Sequence, residues 1–301
     1  MLVKTVSILP ATGIDRCYTY AVVQDVVPAI GSYVRISLGR QEAVGVIWDD
    51  VVDHDIPVKK LKDVTEIFDV PPLSDSMRRY IEKIAQWTMS PRGLILKMVV
   101  PSVKLLETPK KPLSYICRTI SHTHGITLSE AQNRAADTLK HAVTGQKFAA
   151  VLLDGVTGSG KTEVFFEAVS QAIHEGKQAL IMMPEIALTD GFVARFENHF
   201  GVKAALWHSH MTPRQRQTVW QGVVRGVTKA VIGARSSLFL PYADLGVIVV
   251  DEEHDSSYKQ EDNVIYHARD MAVLRGYSFG HPVILASATP SLETLWNVRA
   301  R

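Results

Sequence analysis

Short apolar stretches alternate with polar positions through the first ~65 residues of the chain, the period-two pattern of strands. Val3–Ile8, Tyr18–Val23, Tyr33–Leu38 and Ala43–Trp48 each carry it, with Pro10, Gly13, Pro28, Gly31 and Gly39 as punctuation. Turn-separated strands this short predict a small barrel or curled sheet. The period then changes. Met77, Tyr80, Ile81, Ile84, Ala85 and Trp87 fall at helical spacing over Asp75–Thr88, behind a Ser74 cap. A further apolar run, Gly93–Val100, stops at Pro101. Glu107–Pro112 joins prolines to adjacent lysines and reads as a linker. Beyond it, a helix over Ser129–Val143 opens a regular alternation. Ala149–Asp154, Ala179–Met183, Ala204–Trp207, Lys229–Ile232, Val247–Val250 and Pro282–Ala286 are apolar and strand-length, with helical patterns between most of them. That order predicts an α/β unit with a parallel sheet covered on both faces. The expected organisation is a mostly-β unit over residues 1–105, a linker over 106–127 and the α/β unit over 128–301.

Composition narrows the class without naming a function. The 301 residues are 46% hydrophobic and 21% charged, ordinary for a globular protein. No apolar run is long enough to span a bilayer, and Met1–Pro10 lacks the features of a signal peptide, so a cytoplasmic protein is expected. Cys17 and Cys117 cannot hold zinc by themselves and make no disulfide scaffold. Net charge is +2. Before Pro112 there are 15 basic and 13 acidic residues, and after it 18 of each. Neither half carries a basic footprint, so a nucleic-acid partner has to be argued from motifs.

The first motif is Gly155-Val156-Thr157-Gly158-Ser159-Gly160-Lys161-Thr162. It matches G-x-x-x-x-G-K-[ST] and lies between an apolar strand and a helix, the setting that a phosphate loop requires. Glycines let backbone N–H groups close round phosphates, the helix N-terminus adds positive potential, and Lys161 adds a point charge. Thr162 can offer its hydroxyl to Mg²⁺. The second motif ends a buried strand, at Asp251-Glu252-Glu253-His254. In phosphate-loop enzymes the first acid holds Mg²⁺ through its water shell, and its neighbour can orient and deprotonate water. Three more segments follow strands: Met183–Thr189, Gly233–Phe239 and Ser287-Ala288-Thr289-Pro290-Ser291. Thr189, Arg235, Ser236 and Ser237 are groups that contact phosphates without reading bases. The pairs His208/His210 and His122/His124 have no Cys or acidic partner at ligand spacing, and read as surface or strand-end residues.

In this order the five segments resemble the first motor lobe of a superfamily 2 helicase. The run Asp251–Gln260 followed by Tyr266-His267-Ala268-Arg269-Asp270 resembles the aromatic-rich loop of the replication-restart helicases, the primosomal protein N′ (PriA) family. The likeness covers nearly all of Leu128–Trp296. Upstream, Leu38-Gly39, Val44-Gly45-Val46 and Leu61-Lys62 with Val64 stand in the order of that family's 3′-end DNA-binding domain.

The resemblance implies a RecA-like lobe preceded by a small mostly-β DNA-binding domain. It implies ATP and Mg²⁺ as cofactors. Gly155–Thr162 would bind nucleotide, Thr162 and Asp251 the metal, and Asp251 and Glu252 would serve catalysis, with Gln132 at the adenine. Tyr258 and Tyr266 would lie in the loop coupling DNA to hydrolysis, where aromatic faces suit base stacking. Arg235 and Ser236 would meet the DNA backbone, and Tyr18, Gly39 and Lys62 would form the 3′-end pocket. Thr19 stands where some members carry Asp, and Val264-Ile265 where Arg or Pro-Arg is often seen. Partners would be single-stranded and forked DNA and replication-restart proteins, with a monomer, no membrane and 3′-to-5′ polarity.

The residues between Pro101 and Leu128 are too few for the winged helix usual at that place. The second lobe and its cysteine-rich zinc segment are not in the sequence, so no zinc is expected. A missing transition-state arginine is worth about 10³–10⁵ in rate in related enzymes. The expectation is therefore an ATP-dependent helicase truncated after its first lobe and inactive alone. The alternatives are a non-motor protein that binds forks and recruits partners, and a phosphate-loop NTPase acting on something other than DNA.

Overall fold

The structure, a computed structural model, describes residues 4–22, 28–50, 57, 60–108 and 127–300. Cys117, His122, His124 and most of the expected linker, including the place of the winged helix, lie outside the described residues.

Five strands build the N-terminal sheet: β1 (Lys4–Pro10), β2 (Tyr18–Val22), β3 (Tyr33–Leu38), β4 (Gln41–Trp48) and β5 (Val64–Ile67), in the order β2-β1-β4-β3-β5. All of the strand pairings are antiparallel. The sheet curls until its edges meet, where the Ala21 N–H donates to the Lys62 carbonyl at 2.9 Å and Ala21 bridges Asp63. Inward-facing Val6, Ile8, Tyr20, Val22, Val34, Ile36 and Ile47 fill the interior. The alternate residues Leu9, Tyr33, Val46 and Trp48 face the other way, into the cluster formed with α1 (Asp75–Thr88) and α2 (Arg92–Val99). Strand β5 has no period to read, because Val64 and Ile67 are only half-buried and Thr65 and Glu66 are exposed. The run Gly93–Val100 forms the helix α2. Gly93 lies so close to the end of β1 that a Cβ there would sit 2.3–2.6 Å from the carbonyls of Thr12, Ile14 and Pro10.

The larger unit is a six-stranded parallel sheet in the order β6-β13-β10-β7-β9-β8. Its strands are β6 (Ala150–Asp154), β7 (Gln178–Met182), β8 (Ala205–Trp207), β9 (Ala230–Gly233), β10 (Leu245–Asp251) and β13 (Val283–Ser287). Alternation along the buried strands feeds two cores. Ala179, Ile181, Val247, Val249, Ile284 and Ala286 face α3 (Glu130–Thr144), α4 (Lys161–His174) and α5 (Asp190–Phe200). Leu180, Met182, Ile248, Val250, Val283 and Leu285 face α6 (Pro213–Val224) and α7 (Ala268–Phe279). The second core does not stop at the α/β unit: residues of α1 and α2 belong to the same cluster.

Hydrogen bonds fix that junction. The indole of Trp220 donates to the Val99 carbonyl at 2.9 Å, Gln221 Nε2 to Leu105 at 2.6 Å, and the Tyr80 hydroxyl to Met271 at 2.8 Å. Buried Arg275 lies 5.1–5.7 Å from the ring centres of Tyr80, Tyr242 and Phe279 and donates to the carbonyls of Leu238 and Leu240. After β10, a two-stranded hairpin of β11 (Lys259–Gln260) and β12 (Tyr266–His267) leads into α7, and α8 (Leu292–Arg299) follows β13.

Candidate nucleotide site and DNA-facing edge

Strand β6 ends at Asp154, and seven residues later α4 begins at Lys161 with Gly160 as its cap. Gly158 and Gly160 have φ of +78° and +81°, a region where side chains are strained. The first N–H groups of α4 have no partner within the helix and point out of its end, into the loop. Lys161 Nζ donates to the carbonyls of Gly155 at 2.5 Å and Val156 at 3.3 Å, so the lysine lies over the loop. A Cβ on Gly160 would come within 2.4 Å of Gln132 Nε2. Gln132 therefore touches the loop, but both ends of its amide are committed. Its Oε1 accepts from Ser129 N at 2.8 Å in the capping box of α3, and its Nε2 donates to the Ser159 carbonyl at 2.8 Å.

Asp251 closes β10, beside β7 and β13. Burial, reinforced by the neighbouring Glu252, pushes its carboxyl up to about 6, while the Glu252 N–H, Lys161 and Arg195 pull the other way. Lys161 and Asp251 are thus within electrostatic reach across the end of the sheet. Glu252 has φ of +48°, which turns the chain out of the strand direction. The His254 ring then sits at a junction. Its Nδ1 lies 2.7 Å from Ser287 Oγ and 3.7 Å from Glu252 Oε2, and its Nε2 lies 3.2 Å from Thr289 Oγ1. The Thr289 N–H also donates to Ser287 Oγ at 3.1 Å. The acids after β10 and the small hydroxyl residues after β13 are one hydrogen-bonded cluster.

The expected DNA contacts fare unevenly. Tyr258 and Tyr266 are 1% and 5% exposed, so neither presents a ring face for a base to stack on. This corrects the expectation of an aromatic platform. The Tyr258 hydroxyl lies 2.6 Å from the Asp251 carbonyl and 3.0 Å from that of Met182, and the Tyr266 ring packs edge-on against Phe239 at 5.3 Å. Arg235 is half-buried, and its Nη1 donates to the carbonyls of Ser257 at 3.0 Å and Lys259 at 2.7 Å in bonds that stay exposed. Ser236 is exposed. In the N-terminal barrel, Lys62 Nζ donates to the Gly39 carbonyl at 2.8 Å. Tyr20 and Lys62 both reach the Ser37 carbonyl, at 3.0 and 3.5 Å, and Tyr18 shares the Tyr20 face of β2. Tyr18, Gly39 and Lys62 therefore lie at one edge of the barrel.

The DEAD/DEAH box helicase family matches residues 129–298, and the 3′DNA-binding domain (3′BD) family matches residues 7–101. The chain belongs to the DEAD/DEAH box helicase family. Among relatives, the replication restart protein PriA of Rickettsia prowazekii is 36% identical over 285 residues, covering 93% of this chain and 42% of the relative. PriA of Haemophilus influenzae is 31% identical over 369 aligned positions, covering 98% and 50%. The chain thus spans half or less of the length of these relatives. A solved structure of RecG bound to a three-way DNA junction aligns at a TM-score of 0.45 and 18% identity, over 73% of this chain and 28% of that one.

For this helicase lobe, two parts of the site were not legible as such in the sequence. Glu253 and Arg269 are buried and paired at 3.0 Å, a pairing that neither of their motifs announces. Glu163 is buried too, and accepts from Arg195 Nε at 2.5 Å. Only a helical phase count over α4 and α5 could have paired those two. Among the described residues no cluster of three His, Cys, Asp or Glu is arranged to hold a metal, and no helix is long and apolar enough to cross a membrane. The rings of His208 and His210 are 6.2 Å apart at the end of β8, where Glu185 accepts from the Ser209 N–H at 2.9 Å.

Proposed function

We propose that this chain is the DNA-end-binding domain and first motor lobe of an ATP-dependent DNA helicase acting in replication restart, with 3′-to-5′ movement along DNA. The observation that carries the reading is the convergence of the Gly155–Thr162 loop, with Lys161, on Asp251 and Glu252 at one end of the parallel sheet. A chain matched by a 3′DNA-binding domain family over residues 7–101 supports DNA as the polymer.

The residues fit ATP with Mg²⁺. The loop closes on glycines at positive φ, and a buried carboxyl pushed up to about 6 calls for a cation beside it. When bound, the nucleotide–metal pair would supply the phosphoanhydride and the charge that draws electrons toward its leaving oxygen. Gly155, Val156, Thr157, Gly158, Ser159 and Gly160 would cradle phosphates with backbone N–H groups. Lys161 would exchange its carbonyl contacts for phosphate oxygens. Thr162 Oγ1 and Asp251 would face the metal, and Glu252 would take the proton of the attacking water on a carboxylate oxygen. Gln132 would report on loop position, since its amide is bound to Ser159; contact with adenine would require it to give up a bond. Tyr18, Gly39 and Lys62 would hold a strand end, and Ser236 would meet the backbone.

A second reading is a fork-binding protein that recruits partners without a motor. The buried rings of Tyr258 and Tyr266 favour it, because neither offers a face for a base to stack on. Binding of ATP with Mg²⁺, with and without single-stranded or forked DNA, separates the two. DNA-linked ATP binding that Lys161→Ala abolishes supports the motor lobe. Fork binding with no ATP binding in either protein supports the recruiter.

A further inference from the structure

The third acid of Asp251-Glu252-Glu253 does not face the nucleotide loop. The left-handed turn at Glu252 sends Glu253 inward, where its residue is 0% exposed and its N–H donates to the Ala286 carbonyl at 3.1 Å. Every side-chain partner of its carboxylate is a donor. Arg269 Nη1 reaches Oε2 at 3.0 Å, Thr294 Oγ1 reaches it at 2.9 Å and Ser291 Oγ at 3.2 Å, while the Ser291 N–H donates to Oε1 at 2.6 Å. Arg269 Nη1 also donates to Ser291 Oγ at 2.6 Å, and its Nε to Asp270 at 2.9 Å.

Three segments therefore close on one carboxylate: the acid strand end, the start of α7 and the cap of α8. Ser291 is the cap residue of α8, accepting from Thr294 N at 3.3 Å. It is also two residues beyond Thr289, and Thr289 and Ser287 hold the two nitrogens of His254. We infer that Glu253 and Arg269 are positioning residues: together they anchor Ser291, and through it set the Ser287–Thr289 turn that orients His254 beside Glu252. The inference rests on the reading of Glu252 as the group that activates water, but its geometry does not depend on turnover.

An unsatisfied buried carboxylate is costly, whereas a fully bonded one fixes a unique arrangement. Replacing Glu253 with Gln keeps the size but turns one acceptor into a donor pointed at Arg269 and Ser291. The turn should then loosen and release the His254 ring. Nuclear magnetic resonance of the histidine side chains in the ¹⁵N-labelled full chain reads this directly, with His254 assigned by His254→Gln. In the wild type His254 should show one tautomer. In Glu253→Gln and Arg269→Gln its two nitrogens should move toward the averaged positions of a free neutral imidazole. Affinity for ATP with Mg²⁺ should stay within about twofold. Ser291→Ala, which leaves the Glu253–Arg269 pair intact, should show the same change and settles the matter if the charged-pair variants do not fold. A folded Glu253→Gln or Ser291→Ala protein with lowered melting temperature and an unchanged His254 signature overturns the inference, leaving a purely structural role. Absence of ATP binding in the wild type would instead contradict the helicase reading, without touching the His254 result.

Discussion

Asp251 is the residue whose chemistry is most exposed to test. Its carboxyl keeps its proton up to about 6 in the folded chain, against an ordinary value of 3.8. Between those values the native state binds more protons than the unfolded chain, so stability falls as pH rises through that window and stays lowered above it. Asp251→Asn should therefore melt higher than the wild type at pH 7.5, by of order 1–3 kcal/mol, and the difference should vanish near pH 4. Equal melting at pH 7.5 would mean that the carboxylate is not strained by burial. Nucleotide binding should run the opposite way. A cation needs the ionised carboxyl, so affinity for ATP with Mg²⁺ should weaken about tenfold from pH 7 to pH 5 in the wild type. Asp251→Asn should bind weakly and show only the nucleotide's own pH dependence. Isothermal titration at both pH values in the two proteins checks this. The strain belongs to the site, since a stability gain and a loss of binding are expected from the same substitution.

At the scale of elements, α6 decides how the chain is divided. Its residues Gln217, Trp220 and Gln221, with Arg225 at its C-cap, all bond to carbonyls between Asp69 and Glu107, so one helix faces both the sheet and the N-terminal unit. Trp220 is 0% exposed and meets Tyr33 of the barrel edge-on at 5.6 Å. Trp220→Ala should cost about 3–5 kcal/mol. Because one apolar cluster joins the units, urea should unfold the wild type in a single transition seen alike by circular dichroism and tryptophan fluorescence. Two separated transitions would show that the junction is weaker than its packing implies. The alternation of the strands and the helical spacing in α1, α3 and α4 made most of these elements legible in the sequence, together with the loop at Gly155–Thr162. The joint was not legible. Trp220 and Gln221 look like one more amphipathic stripe, and nothing local says that their partners are Val99 and Leu105, more than a hundred residues away. Strand β5 and the Lys259–His267 hairpin were hidden for a simpler reason, since so few residues cannot display a period. The two tyrosines of the aromatic-rich segment misled because residue type was read without burial. Tyr258 spends its hydroxyl on the ends of β7 and β10, and its ring on the core.

For the molecule as a whole, the barrel edge carrying Tyr18, Gly39 and Lys62 and the nucleotide loop are parts of one packed body. A strand end held at the first should therefore be felt at the second. The pocket reading predicts that DNA with a free 3′-hydroxyl binds more tightly than the same DNA with a 3′-phosphate. Lys62→Ala should remove that preference, because it frees the Gly39 carbonyl from its 2.8 Å anchor. Fluorescence anisotropy with the two DNA ends checks this, and equal affinity for both in the wild type rules the pocket out. The central claim is that ATP occupies the loop at Gly155–Thr162 and that DNA binding is linked to it. Its most direct measurement is equilibrium binding of a fluorescent ATP analogue with Mg²⁺ to the wild type and to Lys161→Ala, each with and without forked DNA bearing a free 3′ end. The wild type should bind it saturably, with a change of about fivefold or more when DNA is present and a loss of about 10- to 100-fold in Lys161→Ala. Equal affinity in the two proteins would contradict the site, and a wild-type affinity indifferent to DNA would contradict the linkage.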